Sequence, residues 1–180
     1  MKKILFPTDL SNSSKTVYAY LLEIASIIEA EIHLLHVQKS DNKSLINASS
    51  PGLKDNKIAI QERVINGLLD WKEQGNELIK RSSNLGEIQV RSFLELGDPI
   101  EVIKEYAAKP EYDFLVVAAK GGGKIRQLLG SLAYPLMNEV DIPILFIPDN
   151  PDLLIPRQIL FSTDFNHKDS EHLQNVYKIF

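Results

Sequence analysis

The chain has 180 residues and a mass of 20.3 kDa, room for one domain of about 150 residues and roughly 30 more. Hydrophobic residues make up 44% and charged residues 24%, a globular mixture too apolar for intrinsic disorder. A net charge of -4 with a pI near 5.6 argues against nucleic acid or an anionic membrane as partner, and the absence of Cys excludes a disulfide framework, a thiolate nucleophile and Cys-ligated zinc while permitting a reducing compartment.

In chain order, Met1-Lys2-Lys3 precedes the apolar run Ile4-Leu5-Phe6, which Pro7 and Asp9 interrupt. A secretory signal needs an apolar stretch of about 7 to 15 residues and a membrane span needs about 20, so neither is present and Lys3 to Phe6 reads as the first strand of a cytoplasmic protein. The cluster Ser11-Asn12-Ser13-Ser14 then offers caps to a helix whose Val17, Leu21, Ile24 and Ile28 draw one apolar stripe. A second strand spans Glu31 to Val37. Its His33 and His36 alternate with Ile32, Leu34 and Leu35, a setting for hydrogen-bonded packing, and no metal is assigned to them.

Lys39 to Asn56, KSDNKSLINASSPGLKDN, has no period and reads as a mobile surface connection, long enough for a lid or an insertion. A helix follows over 57 to 82, with Ile60, Val64, Leu68, Trp71 and Leu78 on one face. Trp71 belongs to the core in this reading, and Gly67 and Gly75 each cost the helix about 1 kcal/mol relative to Ala. Ile88 to Leu94 forms a third strand. Asp98 caps the next helix and Pro99 takes its first position, where a missing N–H is tolerated; the helix ends near Lys109-Pro110. Phe114 to Ala118 and Pro143 to Ile147 complete five strands, and the alternation of strands and helices predicts an α/β fold with a parallel sheet.

The loop after the fourth strand reads Ala118-Ala119-Lys120-Gly121-Gly122-Gly123-Lys124 and leads to Gly130-Ser131. Glycines let backbone amides approach an anion, and a helix starting near Ser131 adds its positive end, so phosphate is the natural guest; a flexible turn is the competing reading. Pro135 fits best if that helix starts slightly late. This loop and Pro7-Thr8-Asp9 both lie at carboxyl ends of strands, where open parallel sheets bind ligands. Familiar phosphate motifs fail here: Lys124 is followed by Ile125 instead of Ser or Thr, and Arg126 stands where a dinucleotide fingerprint needs its third glycine.

An internal repeat closes the chain. Arg157-Gln158-Ile159-Leu160-Phe161-Ser162-Thr163-Asp164-Phe165-Asn166 matches Lys2-Lys3-Ile4-Leu5-Phe6-Pro7-Thr8-Asp9-Leu10-Ser11 at an offset of 155. The expected organisation is a domain over 1–148, a short Pro-bracketed linker over 149–156, and the first strand and partial helix of a truncated second repeat over 157–180.

With ILFPTDLSNSS at the start, EIHLLHV at the second strand, DFLVVAAKGGG at the fourth, LLGSLAYPLM after it and IPILFIP at the fifth, residues 1 to 148 resemble the universal stress protein family. The resemblance implies a doubly wound five-stranded parallel sheet with helices on both faces, of the adenine nucleotide alpha hydrolase-like kind, and a homodimer through the fifth strand, Ile142 to Ile147. It also implies ATP binding in those members that carry Gly, two residues, Gly, nine residues, Gly and then Ser or Thr. On that signature Gly121, Gly130 and Ser131 match, Ala118 replaces the first glycine, and eight residues instead of nine separate Gly121 from Gly130. The nucleotide site implied by the resemblance comprises Pro7, Thr8, Asp9 beside the ribose, a backbone group at Val37 beside adenine, and Ala118, Lys120, Gly121, Gly122, Gly130 and Ser131 around the phosphates. Magnesium could accompany ATP through water on Asp9.

The expected function is an ATP-binding stress-response or signalling module without fast turnover, since no Ser-His-Asp set or carboxylate cluster offers a positioned general base, and no catalytic residue is assigned. Two alternatives remain: a family member that binds no nucleotide and acts by dimerisation, and a slow nucleotide hydrolase.

Overall fold

A computed structural model of the protein describes residues 1–39, 51–81, 88–119, 130–148 and 158–179. The first three elements are strand β1 (Lys2–Pro7), helix α1 (Asn12–Ile27) and strand β2 (Ala30–Gln38). Helix α2 (Pro51–Arg81), strand β3 (Val90–Leu96), helix α3 (Pro99–Ala107) and strand β4 (Phe114–Ala119) follow. Helix α4 (Gly130–Glu139), strand β5 (Ile144–Pro148) and helix α5 (Asp169–Ile179) complete the order. The five strands pair in parallel as β3-β2-β1-β4-β5, which bears out the parallel sheet expected from the alternation of elements and the doubly wound arrangement implied by the family resemblance.

Alternation along each strand divides the core into two layers. Ile4, Phe6, Ile32, Leu34, Phe114 and Val116 face one side, where α1 and α2 cover them with Val17, Leu21, Leu68 and Trp71. Leu5, Leu35, Leu115 and Val117 face the other side, under Ile103 and Ala107 of α3 and Ala133 and Leu136 of α4. Each large side chain removed from water here contributes about 1.5–3 kcal/mol, which is what holds a helix to each face.

The caps follow the local chemistry. Ser11 is the N-cap of α1 and accepts from the Ser14 N–H, and Asp98 caps α3 by accepting from the amides of Ile100 and Glu101 with Pro99 beside it. Helix α2 starts at Pro51, earlier than residue 57: a Pro-Gly pair that reads as a turn also suits a first helical turn, where Pro lacks only an N–H that would have no partner. Residues 40–50, the rest of that connection, lie outside the described residues.

Trp71 is buried and stacks on Tyr18 at 5.4 Å between ring centroids. Leu78, expected on the same apolar face, is 44% exposed, because α2 runs on past Gly75, where it meets Tyr18 of α1. The two glycines of α2 mark close approach: a Cβ at Gly75 would stand 2.3 Å from the Tyr18 hydroxyl, and one at Gly67 would stand 3.1 Å from Leu10 Cδ1.

His33 has the packing role its pattern suggested. Buried between β2 and the α3–β4 connection, its Nδ1 is 2.9 Å from the Tyr112 hydroxyl and its Nε2 is 3.0 Å from Glu31, a buried carboxylate that Arg91 also pairs.

The repeat at the end of the chain is reproduced in part. Residues 158–163 form no strand, since a strand needs a neighbour to pair with, and Ile159 and Leu160 are exposed where their counterparts Ile4 and Leu5 are fully buried. The turn after it does repeat. Leu10 and Phe165, at the same offset, both take left-handed backbone with φ of 59° and 61°. The Leu10 N–H donates to Thr8 Oγ1 at 3.0 Å and the Phe165 N–H to Thr163 Oγ1 at 2.8 Å. The Ser11 N–H donates to Asp9 Oδ1 at 3.0 Å and the Asn166 N–H to Asp164 Oδ1 at 3.1 Å.

Candidate functional site

The sheet order reverses between β1 and β4, and these strands pair only through Ile4–Phe114 and Leu5–Leu115 before they diverge. Beyond their carboxyl ends lies a cleft of about 270 Å³, at the position where an open parallel sheet leaves a crevice. Leu35, Val37 and Val117 line it from the sheet, Pro99 and Ile103 from α3, and Leu132 and Leu136 from α4. Thr8, Asp9 and Ser14 supply its polar side, with Pro7 beside them.

Thr8 and Asp9 are held by a turn that the chain makes on leaving β1. The Thr8 N–H continues the ladder to the Leu35 carbonyl at 2.9 Å, and its own carbonyl accepts from His36 Nδ1 at 2.8 Å. Left-handed backbone at Leu10 costs a non-glycine residue about 1–3 kcal/mol. The side-chain bonds of Thr8 and Asp9 to the following amides offset that cost, and the conformation sets Leu10 against Gly67 of α2. Asp9 Oδ1 accepts from the Ser11 N–H and, at 2.6 Å, from the Ser14 hydroxyl. Burial alone would raise the Asp9 pKa, but the hydrogen bonds from Ser11 and Ser14 outweigh it and hold the carboxyl below its ordinary value. It is therefore ionised at neutral pH, and Oδ2 is left without a hydrogen bond among the described residues.

Val37 offers its main chain. Peptide groups alternate in direction along a strand, and Leu35 points its carbonyl toward β1. Two residues on, Val37 points its N–H and C=O the same way, but β1 ends at Pro7, level with Leu35, so this donor and acceptor face the cleft past the end of the neighbouring strand.

Ala118 lines the cleft as the fifth residue of β4. It is not among the residues with positive φ, so a methyl is accommodated without backbone strain where the glycine signature has no side chain. Helix α4 starts at Gly130, which puts Ser131 inside the first turn instead of at the N-cap. Its start is not delayed by Pro135, which sits within the helix and deprives the Ser131 carbonyl of its usual donor. The first-turn amides of α4 have no partner within the helix, and Leu132 brings that turn to the cleft. Lys120, Gly121 and Gly122 lie outside the described residues.

The structure thus brings together Pro7, Thr8, Asp9, Val37 and Ala118 at one cleft, with the start of α4 beside them. Sequence reasoning did not place Ser14, His36, Pro99, Ile103, Leu132 or Leu136 there. The apolar members carry the spacing of core residues, and His36 carries that of strand packing, so no local signal separates them from the interior.

Residues 1–148 match the family model for the universal stress protein family. A universal stress protein of Methanocaldococcus jannaschii is 28% identical over 150 residues, covering 81% of each chain. A universal stress protein family member from Arabidopsis thaliana, solved with AMP bound, superposes with a TM-score of 0.56 at 22% identity, covering 84% of this chain and 94% of that one. A universal stress protein solved in complex with cAMP gives a TM-score of 0.59 at 18% identity over 83% of this chain and 98% of that one.

Proposed function

The chain belongs to the universal stress protein family, and on that premise we propose that it binds an adenine nucleotide in the cleft between β1 and β4, as a responsive module without fast turnover. The observation that carries this reading is the meeting, in one apolar slot, of the Val37 peptide edge with the ionised Asp9 carboxylate. An adenine ring presents an acceptor at N1 beside a donor at N6, the complement of a peptide N–H and C=O. A ribose presents hydroxyl donors, which Asp9 Oδ2 would accept. Two solved relatives in fold hold AMP and cAMP.

ATP is the nucleotide we assign, with its magnesium. Its phosphates would run toward the first-turn amides of Gly130 and Ser131 and the segment from Lys120 to Gly122. Purified protein titrated calorimetrically with Mg-ATP, AMP and cAMP tests both levels. Binding of ATP in preference to the others supports the assignment, binding of AMP or cAMP alone leaves the adenine site and removes the triphosphate, and silence toward all three at millimolar concentration removes the reading.

The second reading is a family member without nucleotide, favoured by the Ala118 methyl on the cleft wall and by the shortened Gly121–Gly130 interval. We also propose that two copies pair along β5, an outer strand of the sheet whose Ile144, Leu145 and Phe146 are only half-buried. Light scattering at tens of micromolar tests this, and a clean monomer would refute it. The repeated turn at Thr163–Asn166 supports reading residues 157–180 as the opening of a second unit of the same kind, joined through 149–156. Among the described residues no helix is long and apolar enough to cross a membrane.

A further inference from the structure

We infer that His36 is a positioning residue for the nucleotide site: from β2 it fixes the Thr8–Asp9 turn, and so sets where the Asp9 carboxylate stands. The inference rests on the nucleotide reading of the cleft.

The Thr8 backbone is held from β2 at both of its polar groups, its N–H by the Leu35 carbonyl at 2.9 Å and its C=O by His36 Nδ1 at 2.8 Å. A carbonyl oxygen can only accept, so Nδ1 carries the proton and the ring is oriented by that bond. Every other side-chain hydrogen bond described in the turn is made by its own neighbours: Thr8 to the Leu10 amide, Asp9 to the Ser11 amide, Ser14 to Asp9. Those bonds shape the turn but do not tie it to the sheet. The second copy makes the equivalent Thr163 and Asp164 bonds away from the sheet, so the shape arises without a histidine. What His36 adds is placement. β1 ends at Pro7, Thr8 is the last residue laddered to β2, and Asp9 is one residue further on. The β2 segment that bears His36 also presents the Val37 peptide edge one residue later, so a single rigid strand would hold both the adenine contact and the ribose contact in register.

The test compares His36→Leu, which keeps bulk without a donor, with His36→Asn, whose Nδ2 stands as many bonds from the backbone as Nδ1 does. Two readouts are taken: Mg-ATP affinity by calorimetry, and amide exchange at Leu10 and Ser11 in the free protein, with Ile4 as the core reference. In the Leu variant affinity should fall roughly five- to tenfold, as for one lost hydrogen bond. Exchange should quicken several-fold at Leu10 and Ser11 but not at Ile4, and the Asn variant should restore both. A Leu variant that matches wild type in both readouts, or a folded Asn variant that rescues neither, overturns the inference. If wild type binds no adenine nucleotide, the reading of the cleft fails by itself, and the exchange pattern alone decides whether His36 anchors the turn.

Discussion

Asp9→Asn separates the two jobs that one carboxylate holds. As part of the turn, Asp9 Oδ1 accepts from the Ser11 amide at 3.0 Å and the Ser14 hydroxyl at 2.6 Å, and an Asn carbonyl in the same place still accepts both. Hydrogen bonds to a charged acceptor contribute about 1.5–3 kcal/mol and neutral ones about 0.5–1.5, so two weakened bonds suggest a loss near 2 kcal/mol. Asp9 is solvent-exposed, and screening reduces this to about 1 kcal/mol, a fall in Tm of roughly 2–4 °C. As a ligand group the residue loses more. Oδ2 becomes an NH2, which cannot accept from a ribose hydroxyl, and losing one charge-assisted bond lowers Mg-ATP affinity roughly tenfold to a hundredfold. Calorimetry at pH 7 measures the second effect and thermal unfolding without nucleotide the first. An Asn variant that binds within twofold of wild type would refute the role of Asp9 as a nucleotide contact and leave it a turn residue only.

Further expectations concern packing, acid stability and the cleft wall. Gly75→Ala gains about 1 kcal/mol of helix propensity yet should destabilise the protein, because the new methyl meets the Tyr18 hydroxyl in a stack with Phe6 and Trp71. In a Tyr18→Phe background, which removes a hydroxyl that is buried without a partner among the described residues, the same change should be neutral or stabilising; stabilisation in both backgrounds would contradict the close approach. Because the Asp9 pKa is lowered on folding from 3.8, its contribution is fully present above about pH 4 and is lost as pH falls through the folded value. The acid limb of the urea-midpoint profile should therefore be shallower in Asp9→Asn, and superimposable limbs would show that the turn does not hold the charge. Ala118→Gly restores the signature glycine in a strand interior. It should cost about 0.5–1 kcal/mol in chemical unfolding and leave Mg-ATP affinity within threefold, whereas a tenfold gain would mean that the methyl obstructs the site.

The positions of the five strands and of the caps Ser11 and Asp98 were legible in the chain because each depends on a few adjacent residues: short apolar runs, an Asp before a Pro, a Ser cluster before a stripe. Most of the cleft was not. Ile103 and Leu136 differ from the core residues beside them only in lying where β1 and β4 part, and that parting is a property of strand order. Leu78 fails for the same kind of reason, since its spacing is right and its helix has passed the element it should cover.

The two copies at offset 155 draw the boundary between local and tertiary information. Thr-Asp followed by a residue near φ +60° forms in both, on the sheet and away from it, because the bonds that make the turn reach only two residues along the chain. Ile4-Leu5-Phe6 forms a buried strand, whereas Ile159-Leu160-Phe161 forms none, although the residues are the same. A strand's hydrogen bonds and its burial belong to its neighbours, and only the fold supplies them.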